Sequence, residues 1–344
     1  MTLHSTSSFR RATRLSLAGL AALALGAGIA GCSSGSSSSA GSTDGGYTIG
    51  IVEQQLANPF FAKLEESAKT AATDAGLQVI TAESKTAGDS ATQVAAVENM
   101  IARQVKGIVL DPANATALVD VVKKARDAGI LVITVNTSLD PTDAADASFE
   151  TDNEAGGKLM GQWAKATLGS AAPQLAMLDY DLSDSTAAAR HNGFLEGFGI
   201  ADGSPEIVGT ALTKSNVETG QSSMENLLSA HPDINVIYTI NEPAAQGAAI
   251  AIKNAGDTDK IAVTSIDGSC SGVRSVQSGE IGATVMQFPA KMGQLAVAAI
   301  TDYVKTGTKP SGVNDSGTQL ITDKPATGVD SQTSAWGLDN CWGE

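Results

Sequence analysis

The sequence predicts an α/β protein built from two doubly wound parallel-sheet domains, and three observations carry that expectation. From Tyr47 onward, short β-branched apolar runs alternate with amphipathic stretches that end in glycine, the pattern of parallel strands covered by helices on both faces. The chain has 344 residues, more than one hydrophobic core usually sustains, so two domains are the default. Hydrophobic residues make up 42% of it, enough to fill both.

The strand candidates are residues 48–52, 78–80, 107–110, 130–135, 175–178, 207–208, 236–240, 261–266 and 283–285. Between the first two lies the clearest helix, residues 60–75. There Phe61, Leu64, Ala68, Ala71, Ala72 and Ala75 recur at helical spacing, and Gly76 can take the left-handed conformation that ends a helix. Strand ends carry the functional signal: Glu53 and Gln54 close the first run, Asp111 the third, Asn136 the fourth, Asp179 the fifth, Asn241 the seventh and Asp267 the eighth. Open parallel sheets bind ligands beyond the carboxyl ends of their strands, so these carboxylates and amides would line two facing polar rims. The same residue types also start turns and cap helices, and at any single position that reading stands beside the first.

Ahead of the alternating region, Arg10, Arg11 and Arg14 precede an apolar stretch, residues 15–30, that is short for a membrane span and ends in Ile29-Ala30-Gly31-Cys32. The junction resembles a bacterial lipobox. That resemblance implies residues 1–31 as a lipoprotein signal peptide, acylation of Cys32, and residues 32–46 as a Ser/Gly tether holding the protein at the outer face of the cytoplasmic membrane. The alternative, a buried N-terminal helix, would need a polar face that residues 15–30 lack. The Arg10-Arg11 pair also fits twin-arginine export. Three of the 22 basic residues and none of the 37 acidic ones precede Cys32, so the chain from Cys32 onward carries a formal charge of −18. Such a surface repels phosphate backbones and anionic headgroups, which excludes nucleic acid as a partner. With Cys32 acylated, only Cys270 and Cys341 remain, and two thiols in an oxidising compartment usually pair. Two separate buried thiols are the alternative.

Ala57-Asn58-Pro59-Phe60-Phe61 follows the first strand, and Thr151-Asp152-Asn153 with Gly156 and Gly157 sits mid-chain. Ala189-Arg190 precedes Gly193-Phe194, and Asn241-Glu242, Ile266-Asp267-Gly268 and Met286-Gln287-Phe288-Pro289 come after. In this order and spacing the chain resembles the ribose-type periplasmic sugar-binding proteins of ATP-driven importers, over essentially all of residues 47–344. Asn241-Glu242-Pro243-Ala244-Ala245 and the closing Gly337-Leu338-Asp339-Asn340-Cys341-Trp342-Gly343 look most like fructose-binding lipoproteins.

The resemblance implies a type I periplasmic binding protein fold, with two lobes joined by a three-crossing hinge and a sugar in the cleft. One lobe would hold residues 47–151 plus 288–316, the other 152–287 plus 317–344. Gln54, Asn58, Phe60, Phe61 and Asn136 would sit on the first lip. Arg190, Asn241, Asp267 and Gln287 would sit on the second lip or at the hinge, and Glu53 and Asp179 join as strand-end acids. The implied partners are a monosaccharide and the permease and ATPase subunits of an importer.

That assortment suits a neutral polyol. A sugar offers an apolar C–H face to an aromatic ring while its hydroxyls need donors and acceptors. Adjacent helical residues point about 100° apart, so one ring of the Phe60-Phe61 pair should pack inside while the other faces the cleft. Arg190 offers a rigid fork of donors, and its loss is expected to weaken binding far more than folding. Departures from the ribose pattern bear on the ligand: Asn136-Thr137 stands where that pattern has an Asp-Arg pair, and Ser215 and Ile266 where it has aromatics. Ribose is thereby disfavoured, fructose becomes the first candidate, and Tyr180 or Trp336 is left to restore an aromatic wall.

Catalysis finds little support. Gly268-Ser269-Cys270-Ser271-Gly272 has the outline of a nucleophile elbow, but His191 and His231 both precede it, whereas a hydrolase of that order needs a later histidine. The acids at 140, 143 and 146 and at 179, 181 and 184 lack the glycine and distal glutamate of an EF-hand loop. No phosphate loop, zinc-spaced set or dinucleotide fingerprint occurs, so no catalytic residue, metal or cofactor is expected. A sugar-sensing receptor subunit remains the alternative function. An exported hydrolase would require Cys270 to be a free thiol.

Overall fold

The computed structural model describes residues 46–86 and 88–343. The export signal, Cys32 and most of the tether lie outside the described residues. The first part of the chain runs β1 (Thr48–Glu53), α1 (Pro59–Asp74), β2 (Gln78–Glu83), α2 (Ser90–Ala102), β3 (Gly107–Leu110), α3 (Val119–Asp127), β4 (Leu131–Val135) and β5 (Ala147–Glu150). After a crossing come α4 (Asn153–Leu168), β6 (Leu175–Asp179), α5 (Ser185–Phe198), β7 (Ile207–Leu212), α6 (Val217–Ala230), β8 (Val236–Thr239), α7 (Glu242–Ala255), β9 (Ala262–Asp267), α8 (Cys270–Ser278) and β10 (Ala283–Met286). The chain then returns through α9 (Pro289–Thr306) and β11 (Val313–Asp315), and crosses once more to β12 (Gln319–Ile321) and α10 (Ser334–Asn340).

Among the described residues two six-stranded sheets result, in the orders β11-β5-β4-β3-β1-β2 and β12-β10-β9-β8-β6-β7. All pairings are parallel except that of β12 with β10. β5, β11 and β12 were not foreseen: three or four residues long, partly polar, and at or near sheet edges, they carry no apolar run to mark them. Each sheet reverses its winding next to its first strand, at β1/β3 and at β6/β8, and a crevice opens at such switch points. Glu53, Gln54 and Asp111 stand at one of them, Asp179 and Asn241 at the other.

Burial on both faces explains the strand composition. Ile49 and Ile51 face a core made with Phe60 and Leu64 of α1 and with Met292, Val297 and Ile300 of α9. Val52, Ile108 and Leu110 face Val97 and Met100 of α2 and Val121 and Val122 of α3. In the second lobe, α4 and α5 contribute Met160, Trp163, Phe194 and Phe198 to one core, while α6, α7 and α8 contribute Met224, Ala248 and Val276 to the other.

The α4–α5 contact depends on glycine. A Cβ on Gly157 would lie 2.3 Å from the carbonyl oxygen of Arg190, and one on Gly193 would lie 2.1 Å from that of Glu154. Both obstacles are backbone, so they cannot move aside. Gly193→Ala is expected to destabilise the protein by roughly 1–3 kcal/mol through overpacking. A denaturant midpoint equal to the wild type's would show that the helices have room to spare.

Three segments join the lobes: β5 to α4 at residues 151–152, β10 to α9 at 287–288, and β11 to β12 at 316–318. The first and third run side by side, with the Ser316 amide donating to the Glu150 carbonyl at 2.7 Å and the Asp152 amide to Asp315 Oδ1 at 3.2 Å. Cys270 and Cys341 are joined by a disulfide, which settles their pairing. The tail, expected to belong wholly to the second lobe, places Trp342 in the core of the first.

Candidate functional site

At the carboxyl end of the first sheet, Asp111 is the hub. Gln54 Nε2 donates to its Oδ1 at 3.1 Å, and Asn136 Nδ2 reaches both of its oxygens at 3.3 Å. Asn136 adopts the left-handed conformation, φ 62°, which asparagine tolerates and which turns its amide back toward Asp111. Beneath them, buried Gln93 locks the strand ends: its Nε2 donates to the carbonyls of Glu53 and Asp111, and its Oε1 accepts from the Ala113 amide.

The second lobe presents Arg190, Asp267 and Gln287. Arg190 Nε donates to Asn153 Oδ1 at 2.8 Å, one terminal nitrogen donates to the Ile240 carbonyl at 3.0 Å, and that nitrogen lies 4.0 Å from Asp267 Oδ1. Gln287 Nε2 donates to Asp267 Oδ1 at 2.9 Å, leaving Gln287 Oε1 without a protein partner. Asn153 starts α4, so the glycine contact with α5 is what brings it to Arg190. Below Asp267, Glu242 accepts from the amides of Gly268 and Ser269 and from the hydroxyls of Ser269 and Thr284.

Burial governs the electrostatics. It pushes Asp111 up to about 7 against the lowering effect of its amide partners. It carries Glu242 to about 7, helped by the charge of Asp267. Asp267 rises to about 6, held back by Arg190, whose own pKa burial lowers. His191 moves upward because Nδ1 lies 3.0 Å from Asp179 Oδ1. The three acids titrate near 4 when unfolded, so between about pH 4 and 7 the folded chain binds more protons than the unfolded one, and stability falls as pH rises through that window. The raised histidine acts in the same direction, its contribution being present below about pH 6.5 and lost above its folded value. The unliganded protein is therefore expected to melt at a higher temperature at pH 5.5 than at pH 8. The reverse order in thermal scans would contradict this assignment of buried acids.

Several expected site residues go elsewhere. Phe60 is 4% exposed and belongs to the first core, edge-on to Trp342, because its helical position faces inward; Phe61 is half-buried and packs against the same core. Glu53 is fully buried, with neither carboxylate oxygen hydrogen-bonded, and burial together with Asp111 and Glu65 raises its pKa well above normal. It is no rim acceptor. Asp179 is buried and engaged by His191, so the second lobe uses it internally. Asn58 and Asn241 spend Oδ1 on capping α1 and α7, at 2.9 and 3.1 Å, and Asn241 Nδ2 points to the Ser215 carbonyl at 3.4 Å. Trp336 packs on Val273, Met286 and Ile321, which removes it as an aromatic wall, whereas Tyr180 lines the cavity described next. Cys270 is no nucleophile, being disulfide-bonded.

A cavity of about 770 Å³ lies between the lobes, walled by residues 113–116 and 138–140 of the first and by Asn153, Tyr180 and residues 183–186 of the second. Among the described residues, its lining includes Asp140, Glu150, Asp152, Glu154, Asp181, Asp184 and Asp315, and no lysine or arginine. Such a mouth repels anions. Asn153 and Ala189 are its links to the Arg190 rim. Asn153 and Gln93, which hold the rims, were not singled out as site residues in the sequence; a buried amide facing a strand end leaves no local signature. Among the described residues, no group of three or more potential ligands for a metal ion occurs, and no helix is long and apolar enough to cross a membrane.

Comparison with known proteins agrees with this geometry. Residues 49–309 match the family described as periplasmic binding protein domain. The ribose import binding protein RbsB of Salmonella typhimurium is 30% identical over 264 residues, covering 76% of this chain and 86% of that protein. A solute-binding protein of an Actinobacillus succinogenes ABC transporter, solved with bound D-allose, superposes with a TM-score of 0.74 at 25% identity, over 80% of this chain and 97% of that one. One from Bacillus halodurans, solved with bound myo-inositol, gives 0.74 at 26% identity, over 81% and 96%. These relatives bind solutes and are not enzymes. With the two-sheet fold, the three crossings and the matching sequence family, the chain belongs to the periplasmic binding proteins, among the ribose-type sugar-binding proteins of ABC importers.

Proposed function

We propose that this protein captures one neutral monosaccharide, fructose before other sugars, between its lobes and delivers it to the permease of its importer while anchored through lipid on Cys32. The observation that carries this reading is the pair of polar networks, Gln54-Asp111-Asn136 on one lobe and Arg190-Asp267-Gln287 on the other. Each combines a carboxylate acceptor with amide or guanidinium donors, which is what vicinal hydroxyls require. Phe61 and Tyr180 supply apolar faces for the C–H side of a ring. The acidic cavity favours a ligand without negative charge, and the relatives solved with D-allose and myo-inositol hold neutral polyols. Fructose rests on the likeness of the Asn241-Glu242-Pro243 run and of the closing segment to fructose-binding lipoproteins. A ligand bridging both networks favours the closed arrangement of the lobes, which is the differential affinity a population shift needs.

Calorimetry with fructose, ribose, allose and myo-inositol tests the ligand. The expected result is one site per chain with fructose bound most tightly and recovered unchanged. Tighter binding of another sugar overturns the choice of fructose, and no binding by any sugar overturns the whole reading. For the anchor, Cys32→Ser should move the protein from the membrane fraction to the soluble one; retention in the membrane would refute lipidation at that residue.

A further inference from the structure

The tail beyond β12 does what no chain crossing does. α10 lies against α8, and Cys341 is bonded to Cys270, the first residue of α8, so the tail is fastened to the second lobe. The Cys270 amide donates to the Trp342 carbonyl at 2.9 Å, and Trp342 forms an isolated bridge with Ser269. Its indole, however, leaves that lobe. Trp342 is 6% exposed inside the first core, its ring centroid 5.3 Å from that of Phe60, which in turn meets Phe61 at 5.6 Å. Its Nε1 donates to the Gln287 carbonyl at 3.0 Å, on the second crossing. Pro59, Ala62 and Lys63 of the first lobe border a groove whose other wall is Cys341, Trp342 and Gly343.

We infer that residues 341–343 form a fourth tie between the lobes, and that Trp342 is a positioning residue for ligand binding. The tie rests on the reading of the interlobe cleft as the ligand site only for its effect on affinity. One side chain touches Phe60 in the core of the first lobe and the backbone of Gln287, whose side chain holds Asp267 on the second. Parting the lobes must shear either the Trp342–Phe60 contact or the bond to Gln287, because the disulfide keeps the tail from following the first lobe. The tie therefore narrows the range of open arrangements in the unliganded protein. A ligand's apparent Kd scales inversely with the fraction of molecules in the competent arrangement, so a tenfold drop in that fraction raises Kd tenfold.

The test compares wild type, Trp342→Ala, Trp342→Phe and Cys341→Ser. Small-angle scattering without ligand should give a larger radius of gyration for Trp342→Ala and Cys341→Ser, with Trp342→Phe between them and wild type, since it keeps a ring against Phe60 but loses the donor to Gln287. For the sugar found to bind, Kd should rise about tenfold in Trp342→Ala. If that variant does not fold, reduction of the disulfide in folded wild-type protein should enlarge the ligand-free radius in the same way. An unchanged ligand-free radius in every variant and after reduction overturns the tie, whatever the melting temperature does. A larger radius with Kd within twofold of wild type overturns the positioning role. The ligand-free measurement needs no sugar, so failure of the sugar panel and failure of the tie are separate results.

Discussion

Arg190→Ala is expected to abolish useful sugar binding and to destabilise the second lobe at the same time. Two of its five N–H donors already serve Asn153 Oδ1 and the Ile240 carbonyl, which leaves three for Asp267 and the ligand. Losing two charge-assisted bonds to hydroxyls should cost roughly 2–4 kcal/mol of binding, about 30-fold to 1000-fold in Kd. Truncation also leaves two acceptors unpaired and the nearly buried charge of Asp267 uncompensated, a loss of roughly 3–5 kcal/mol in stability. The sequence-based expectation that binding would suffer far more than folding is corrected here: Arg190 is 6% exposed and built into its lobe. Calorimetry beside a urea midpoint separates the two effects. Arg190→Lys, which keeps the charge and a donor, should fold better than the alanine variant and still bind weakly. Unchanged affinity in a folded variant would remove Arg190 from the site.

Asp111→Asn should move stability and binding in opposite directions. The folded protein holds this carboxylate against its desolvation, which is why its pKa stands at about 7 rather than near 3.8. At pH 8 the group is ionised in both states, and the folded state carries the cost. Asparagine removes the charge, keeps one acceptor for Gln54, and should stabilise the unliganded protein by roughly 1–3 kcal/mol. The gain should shrink as pH falls toward 4, where the wild-type carboxyl is neutral in the fold. For the ligand the change substitutes a donor for an acceptor, setting N–H against hydroxyl protons, so Kd should rise about 10-fold to 100-fold. A variant that is less stable at pH 8, or that binds as tightly as wild type, would show that Asp111 does not carry a buried charge awaiting a ligand.

Much of this site was legible in the chain because its parts are local. Gln54, Asn136 and Asp267 follow apolar runs and emerge where the strand register ends, and Arg190 sits three residues before Gly193, which brings its helix against a neighbour. Asp111 was visible as a strand end but not as a hub, since nothing near it in sequence says that Gln54 and Asn136 converge there from the flanking strands. The Phe60-Phe61 pair shows the limit most clearly. Helical geometry requires that one ring turn inward, but the choice depends on Trp342, nearly 300 residues away, which reaches Phe60 only because a disulfide holds the tail. Trp336 failed as an aromatic wall for a similar reason: α10 docks on α8 and Ile321, away from the cleft.

By itself, the sequence determined the class of fold, the strand ends that bear polar groups, and an excess of acidic over basic residues. Periodicity, turn chemistry and composition are properties of neighbouring residues, so they survive without coordinates. Only the tertiary structure decided which polar groups stay available. Glu53 is buried, Asp179 is buried and engaged by His191, Asn58 and Asn241 are taken as caps, and Gln287 keeps an Oε1 with no hydrogen-bond partner among the described residues. The physical reason is that a buried donor or acceptor must be satisfied by whatever lies beside it, and that neighbour usually belongs to a distant part of the chain.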